Sequence, residues 1–231
     1  MIWNDKGYLL SKNKYNENSI IADFYSKNHG KVSGVIFGAS SKKIKNYLLV
    51  GNKLHLNFNS KNDGRTGYLK VEIDSVTTPI YLDNKKKLSC IIYAMSILKL
   101  LTVENQKNIN IYLLIDHFFE ILKNNNWIKN FILWELQILK NIGYDIDFKN
   151  YVSNEIINGV DEYVVKSNYD KRIIPNFLIN KKKNPKNNEE LFKGLKLVGD
   201  YLNKTILKPN NINFPISRIN FVNLLKYWII I

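Results

Sequence analysis

The first third of the chain alternates between short apolar segments and polar turns. Each segment is rich in Ile, Val, Leu, Tyr and Phe and is bounded by polar residues or glycine; the segments are Gly7–Ser11, Ser19–Tyr25, Lys31–Phe37, Lys53–Asn59 and Tyr68–Thr77. In the last two, apolar and polar positions alternate with a period of two, which is typical of a half-buried strand. Five short strands in about 80 residues predict a small barrel, and an OB-fold is the natural candidate.

A helical period replaces this alternation after Thr78-Pro79. From Asn84 onward, apolar residues recur three and four positions apart, which indicates amphipathic helices. One predicted helix begins near Asn84, and the others cover Asn108–Asn124, Trp127–Ile142, Asn188–Thr205 and the chain from Ser217 onward. Residues 144–188 lack a clear period, and the run of lysine and asparagine at 180–188 predicts an exposed loop.

The two patterns divide the chain into two predicted domains. Residues 1–80 form an OB-fold β-barrel and residues 81–231 an all-α helical domain, which makes the protein α+β. The barrel domain has 12 basic and 6 acidic side chains, against 22 and 14 in the helical domain, so it is the more basic per residue.

The formal net charge of +14 favours a nucleic acid or another anionic surface as partner. A second interpretation stays open, because nearly all of the 34 basic residues are lysines in a chain also rich in Asn, Ile and Tyr. That bias is typical of an A/T-rich genome, which raises the lysine content of every protein it encodes. Charge alone therefore does not decide between the two.

The chain offers few residues for catalysis or metal binding. Cys90 is its single cysteine, so an internal disulfide and a cysteine zinc site are excluded. Cys90 lies in an apolar helical segment. No two of its histidines have the i, i+4 spacing of a helical metal site, and no glycine loop has the pattern that cradles phosphate. Asp145 and Asp147 would share a face of a strand, as a nuclease metal pair could, but no third acidic ligand is near. We predict no catalytic residue, no metal and no cofactor.

No segment of the chain has the composition of a membrane or export signal. No apolar run reaches the roughly 18 residues of a transmembrane helix, and the first six residues lack the apolar core of a signal peptide. We therefore expect a cytoplasmic protein without a membrane partner.

Lysine and aromatic residues mix at the loops and strand ends of the predicted barrel. Lys12, Lys14 and Tyr15 share a loop, and the segment Ser40–Lys45 follows a strand end. Lysines pair with phosphates, and an aromatic ring stacks on an unpaired base. We predict DNA contacts from one aromatic residue, Tyr15, and six lysines: Lys12, Lys14, Lys31, Lys42, Lys43 and Lys45. Each aromatic residue of this domain, taken alone, also fits an ordinary barrel position.

A series of short motifs runs through both predicted domains in a fixed order. In the first they are Ser11-Lys12, Tyr15-Asn16-Glu17, Ser19, Phe24-Tyr25, His29-Gly30-Lys31, Gly34 and Phe37-Gly38; in the second they are Trp134-Glu135-Leu136, the run from Ile142 to Asp147, and Leu195–Leu202. Their order and spacing resemble the RecO family, the recombination mediators of bacterial DNA repair. The chain departs from the family pattern at Asn16, where glycine is usual, and at Phe37 and Leu133, where arginine is common.

The resemblance implies an OB-fold followed by a helical domain, without the four-cysteine zinc module of some relatives. It implies a non-enzymatic, nucleoid-associated protein that binds single- and double-stranded DNA and anneals complementary strands. It further implies help in loading the RecA recombinase onto strands coated with single-stranded-DNA-binding protein, with RecR as a partner. The acidic C-terminal tail of that binding protein would dock on the helical domain.

Two functions of other classes stay open. The first is a protein–protein adaptor whose lysines reflect codon bias, which would bind an acidic peptide tightly and DNA weakly. The second is a metal-dependent nuclease that uses Asp145, which would cleave DNA with magnesium.

Overall fold

The structure is a computed structural model that describes residues 1–60, 67–157, 159–167 and 170–230. The chain divides into two compact units: Met1–Asp116 with Pro215–Val222, and His117–Phe214 with Asn223–Ile231. The segment that follows the barrel strands, up to Asp116, therefore belongs to the same unit as the strands. The functional domain boundary placed at residue 80 stays a prediction.

The N-terminal strands of the described chain close into a barrel in the order β1-β2-β3-β5-β4. They are β1 (Ile2–Lys14), β2 (Ser19–Ser26), β3 (Gly30–Phe37), β4 (Lys53–Asn59) and β5 (Gly67–Ser75). All five predicted segments are strands, and β1 is longer than predicted because its first half pairs with β4 and its second half with β2. A bulge between Leu9 and Ser11 interrupts the pairing with β2.

The barrel closes where β3 and β5 run parallel, with Gly34 opposite Gly67. The absence of a side chain at Gly67 is necessary, because a Cβ there would lie 2.2 Å from the Phe58 ring. The barrel interior is filled from the inward positions that the period-two pattern predicts, including Leu54, Leu56, Leu69 and Val71. Alternation along the strands therefore gives the inner and outer faces correctly.

A short helix, α1 (Lys42–Tyr47), lies between β3 and β4 and was not predicted. Gly38, with φ +68°, turns the chain after β3, and Ser41 caps the helix by accepting a hydrogen bond from the Ile44 amide. Six residues are too few for a helical period to emerge, so the sequence identifies Ser40–Lys45 only as a segment that follows a strand end.

The long helices agree with their predicted positions to within a few residues. They are α2 (Lys85–Leu101), α3 (Ile109–Lys123), α4 (Trp127–Asn141), α6 (Asn188–Leu202) and α7 (Ile216–Ile230), with a four-residue helix, α5 (Asn176–Ile179), before α6. In the first unit α2 packs against β1, and its Cys90 is a buried free thiol. In the second unit α4 and α6 pack together. No helix among the described residues is long and apolar enough to cross a membrane.

The prediction that residues 81–231 are all-α is wrong. Within the described part of this region, three strands form an antiparallel sheet in the order β6-β7-β8: Ser153–Ile157, Val160–Ser167 and Asp170–Ile174. These strands are short and carry many polar residues, so no period was evident. A local signal was present, because Asn158-Gly159 between two apolar runs is a strong hairpin dipeptide.

Candidate nucleic-acid interface

Six of the seven residues predicted to contact DNA belong to two neighbouring segments at one end of the barrel. We call this set the basic rim: Lys12, Lys14, Tyr15, Lys42, Lys43 and Lys45. The β1–β2 loop and the segment before α1 are joined by a hydrogen bond from the Ala39 amide to the Asn18 carbonyl (3.1 Å). Lys12, Lys14 and Lys45 line a common groove of about 470 Å³. The rim is therefore one surface, assembled from residues 30 positions apart.

Helix α1 presents its lysines to solvent because its opposite face is anchored. Ile44 and Tyr47, three positions apart, pack against the barrel core, so Lys42, Lys43 and Lys45 lie on the outer side and are exposed. Lys14 is likewise exposed, and the Tyr15 side chain is 59% exposed. A phosphate backbone crossing this surface would meet several cations and one accessible ring.

Lys12 has a different part in the rim from the other lysines. Its Nζ donates a hydrogen bond to the Leu48 carbonyl at the end of α1 (2.6 Å), which ties the helix to β1. Partial burial, and next the repulsion from Lys45, lower the pKa of Lys12 below its ordinary value. Burial is the larger cause, and the repulsion from Lys45 adds to it; an anion bound at the rim would relieve that second contribution.

The structure does not place Lys31 in the basic rim. Its Nζ donates to the Lys99 carbonyl on α2 (3.0 Å), and its backbone carbonyl accepts from the Asn105 amide (2.8 Å). Along β3 it is six residues from Phe37 at the rim end, a distance of roughly 20 Å in a strand. Lys31 instead fastens β3 to the segments that follow the barrel.

Helix α2 packs against β1, and its Lys99 reaches the outer face of β2 and β3, the face that OB-folds use for oligonucleotides. Asp23, on that face, is 7% exposed. Its carboxylate accepts hydrogen bonds from the hydroxyls of Ser11 (2.5 Å) and Ser33 (2.6 Å). It also forms an ion pair with Lys99 on α2 (2.7 Å). Burial alone would raise the pKa of Asp23, but the Lys99 ammonium and the two hydroxyl donors lower it below its ordinary value. The face is therefore occupied by an internal polar network.

Two exposed aromatic residues near the rim were missed by the sequence analysis. Phe37 ends β3 and is 57% exposed, and Tyr68, near the start of β5, is 48% exposed. Their ring centroids are 5.1 Å apart with a 30° tilt. The available signal was the alternation of β5, which places Tyr68 on the polar side with Lys70 and Glu72.

The second unit contains a larger groove of about 770 Å³ with an apolar floor and a lysine margin. Its apolar lining residues are Leu136, Ile146, Phe148, Leu178 and Ile179, and its lysines are Lys140, Lys149, Lys181 and Lys182. The two aspartates of the predicted nuclease pair lie at the same groove. Asp145 pairs with Lys140 (2.8 Å), and Asp147 accepts a hydrogen bond from the Lys149 amide (3.1 Å). Among the described residues, no group of three or more His, Cys, Asp or Glu is placed to hold a metal ion.

Two family models match successive parts of the chain. Residues 1–75 match the model described as Recombination protein O N terminal, and residues 83–168 match Recombination protein O C terminal. The chain belongs to the RecO family. Its family role is thus in DNA repair and recombination.

Similar proteins match over nearly the whole chain. The DNA repair protein RecO of Wolbachia pipientis subsp. Culex pipiens is 25% identical over 96% of this chain and 98% of the relative. The RecO protein of Rhodospirillum rubrum is 24% identical over 98% and 97%, and that of Rickettsia felis is 29% identical over 76% and 78%. Among solved structures, an asparaginyl-tRNA synthetase of Entamoeba histolytica matches 93% of this chain and 59% of its own at 12% identity, with a TM-score of 0.28, too low to carry an argument.

Proposed function

We propose that this protein is a non-enzymatic recombination mediator that binds DNA through the basic rim. It anneals complementary single strands and helps load the RecA recombinase onto strands coated with single-stranded-DNA-binding protein. The observation that carries the proposal is the rim itself, where lysines from β1 and α1 line a common groove beside an accessible ring. Lysines along a groove hold a phosphate backbone without reading its sequence, as annealing of arbitrary strands requires.

The barrel is an OB-fold in this proposal, and its strand order and helix between β3 and β4 support that assignment. OB-folds bind strands partly through the β1–β2 loop, which here has Lys14 and Tyr15 at its edge. Because Asp23 on the β2–β3 face is buried and paired with Lys99 of α2, binding in this proposal relies on this loop and α1. Lys31 contributes to the DNA-binding domain through its bond to α2 rather than by touching phosphate.

The groove of the second unit is the proposed docking site for the tail of single-stranded-DNA-binding protein. An acidic peptide that ends in an aromatic residue needs an apolar pocket with cations at its margin. The groove has both features, and its four lysines outnumber its two aspartates. Membership of the family supports RecR as a further partner in this proposal. The effect on the RecA filament is indirect. The protein acts in the cytoplasm, in association with the nucleoid.

The test is annealing of two complementary oligonucleotides precoated with single-stranded-DNA-binding protein, at two salt concentrations and without nucleotide or metal. We expect the protein to accelerate annealing, and more strongly at low salt, because counterions are released from the strand. Absence of acceleration, with the coat protein still bound, would favour the adaptor. Cleavage with magnesium that disappears in Asp145→Asn would favour the nuclease.

Two variants separate the two proposed sites. Replacing Lys181 and Lys182 with Ala should weaken binding of a fluorescent tail peptide and leave annealing of naked strands unchanged. Replacing Lys42, Lys43 and Lys45 with Ala should have the opposite effect. If both variants lose both activities together, the assignment of separate surfaces is wrong.

A further inference from the structure

The exposed pair formed by Phe37 and Tyr68 needs an explanation, because most large apolar residues of the barrel strands are buried. Phe24 and Tyr25 on β2 are at most 1% exposed, whereas Phe37 and Tyr68 are 57% and 48% exposed. The two rings lie together, 5.1 Å between centroids, so they form one apolar patch on a strongly basic chain. We propose that Phe37 and Tyr68 are a stacking platform for an unpaired base of single-stranded DNA held on the basic rim. This inference rests on the proposed DNA-binding function.

The pairing of the strands places the two residues of the platform next to each other. Parallel pairing of β3 and β5 sets Tyr68 beside Val35, which brings it next to Phe37, two residues further along β3. Gly67, next to Tyr68, packs directly against the Phe58 ring, with no room for a side chain. A platform held in place before binding loses little conformational entropy when a base stacks on it.

Lysines lie on the two elements next to the rings, α1 and β5. Helix α1, with its exposed lysines, begins five residues after Phe37 and packs against β5. Lys70 lies on the same outward side of β5 as Tyr68. A strand whose phosphates follow these lysines would carry its bases over the two rings, the combination of cationic track and aromatic surface that binds single strands.

The size of the patch favours a base over a protein partner. A phenylalanine or tyrosine offers roughly 200 Å² in all, so the exposed fractions of the two rings leave about 200 Å² together. A stable protein interface needs about 800 Å² from each partner. The platform is several times too small for that, but it matches the face of one or two bases.

Stacking needs a free base face, so the platform should distinguish single from double strands. In a duplex, each base face is covered by its neighbours and the rings have nothing to contact. The lysines of α1, in contrast, meet phosphates in either form. The two groups of residues therefore make separable contributions to binding.

The experiment compares Phe37→Ala and Tyr68→Ala with the wild type, using a fluorescent single strand and a duplex of equal length over a salt series. Truncating a stacking ring should weaken single-strand binding about fivefold or more, leave duplex binding within about twofold, and leave the salt slope unchanged because no phosphate contact is lost. Phe37→Tyr should keep near wild-type binding. The matched control is Tyr227→Ala on α7, a tyrosine 75% exposed outside the rim, which should leave both affinities unchanged.

A second measurement uses the unaltered protein, so it does not depend on the folding of any variant. Single strands with abasic positions keep every phosphate and lose the bases, and the wild type should bind them more weakly than the intact strand. Equal affinity for abasic and intact strands, or unchanged single-strand binding in both alanine variants, would overturn the platform. If the wild type binds no DNA at all, the proposed DNA-binding function, on which the platform depends, is wrong.

Discussion

Replacing Lys42, Lys43 and Lys45 together with Ala tests whether α1 contacts phosphate. The three side chains are exposed, whereas Ile44 and Tyr47 anchor the helix to the barrel core. Alanine is the best helix former, so the variant should keep α1 in place. The substitution therefore removes charge from the rim without removing any packing that holds it.

The magnitude follows from counterion release. Each phosphate contact contributes about 0.7 to the slope of log K against log salt for a single strand. Three lost contacts should flatten the slope by about 2. Over a fourfold rise in salt, from about 50 to 200 mM, the wild type should lose roughly 15- to 20-fold more affinity than the variant.

Fluorescence anisotropy with a labelled oligothymidine at several salt concentrations measures the slope directly. The matched control replaces Lys196, Lys204 and Lys208, which are exposed lysines of the second unit, so the loss of net charge is identical. We expect a flatter slope for the α1 variant and a slope close to the wild type for the control. An unchanged slope in the α1 variant, or equal flattening in both, would show that these contacts do not exist as proposed.

Three substitutions test the barrel that supports the rim. Gly30→Ala should lower the melting temperature by about 5 °C or more, since φ is +69° and a Cβ would lie 2.0 Å from the Gln106 carbonyl oxygen; an unchanged melting curve would contradict this. Asp23→Asn should cost about 2 kcal/mol at pH 7 by urea unfolding, because it breaks the pair with Lys99. Because the pKa of Asp23 is lowered in the folded state, its charge stabilises the fold above about pH 4, and this contribution is lost as the pH falls through the folded-state pKa. The free energy of unfolding of Asp23→Asn should therefore fall less in acid than that of the wild type. An identical pH profile of unfolding for the two proteins would refute this reasoning. Gly67→Ala should destabilise the barrel, because its Cβ would overlap a ring of β4, and wild-type stability in the same unfolding assay would disprove that packing.

Strong periodicity made most of the fold predictable from the sequence. The predicted segment Lys53–Asn59 is β4 with the same bounds, and the predicted Trp127–Ile142 helix ends only one residue earlier, at Asn141. In both, apolar positions repeat often enough for the pattern to identify the element. Burial of one face drives both elements, so the sequence pattern and the structure report the same physical cause.

The short elements could not be predicted from periodicity. Helix α1 has six residues, less than two full turns, and its stability comes from a cap and from packing rather than from a repeating pattern. The strands Ser153–Ile157 and Asp170–Ile174 have five residues each and pair through backbone hydrogen bonds that side-chain hydrophobicity does not reveal. Only the Asn158-Gly159 dipeptide indicated the hairpin.

The composition of the candidate site depended on contacts between distant residues. Lys31 and Lys14 look alike in sequence, as lysines at strand ends, yet Lys31 bonds to the carbonyl of Lys99, 68 positions away. Phe37 looks like an ordinary apolar end of a strand, and its exposure follows from how β3 and β5 pair. A local pattern gives residue type and approximate exposure, but not which distant segment covers a side chain.

The β2–β3 face constrains the path of DNA on the first unit. That face holds the carboxylate of Asp23, whose charge would repel a phosphate backbone if α2 were absent. Lys99 of α2 pairs with the carboxylate, so this part of the face contributes to the stability of the first unit. The exposed lysines of the basic rim run from the β1–β2 loop across α1, and the rings of Phe37 and Tyr68 lie where β3 and β5 pair. A single strand following the rim would therefore pass from phosphate contacts at α1 to base stacking at the platform, and a duplex would use only the first of these.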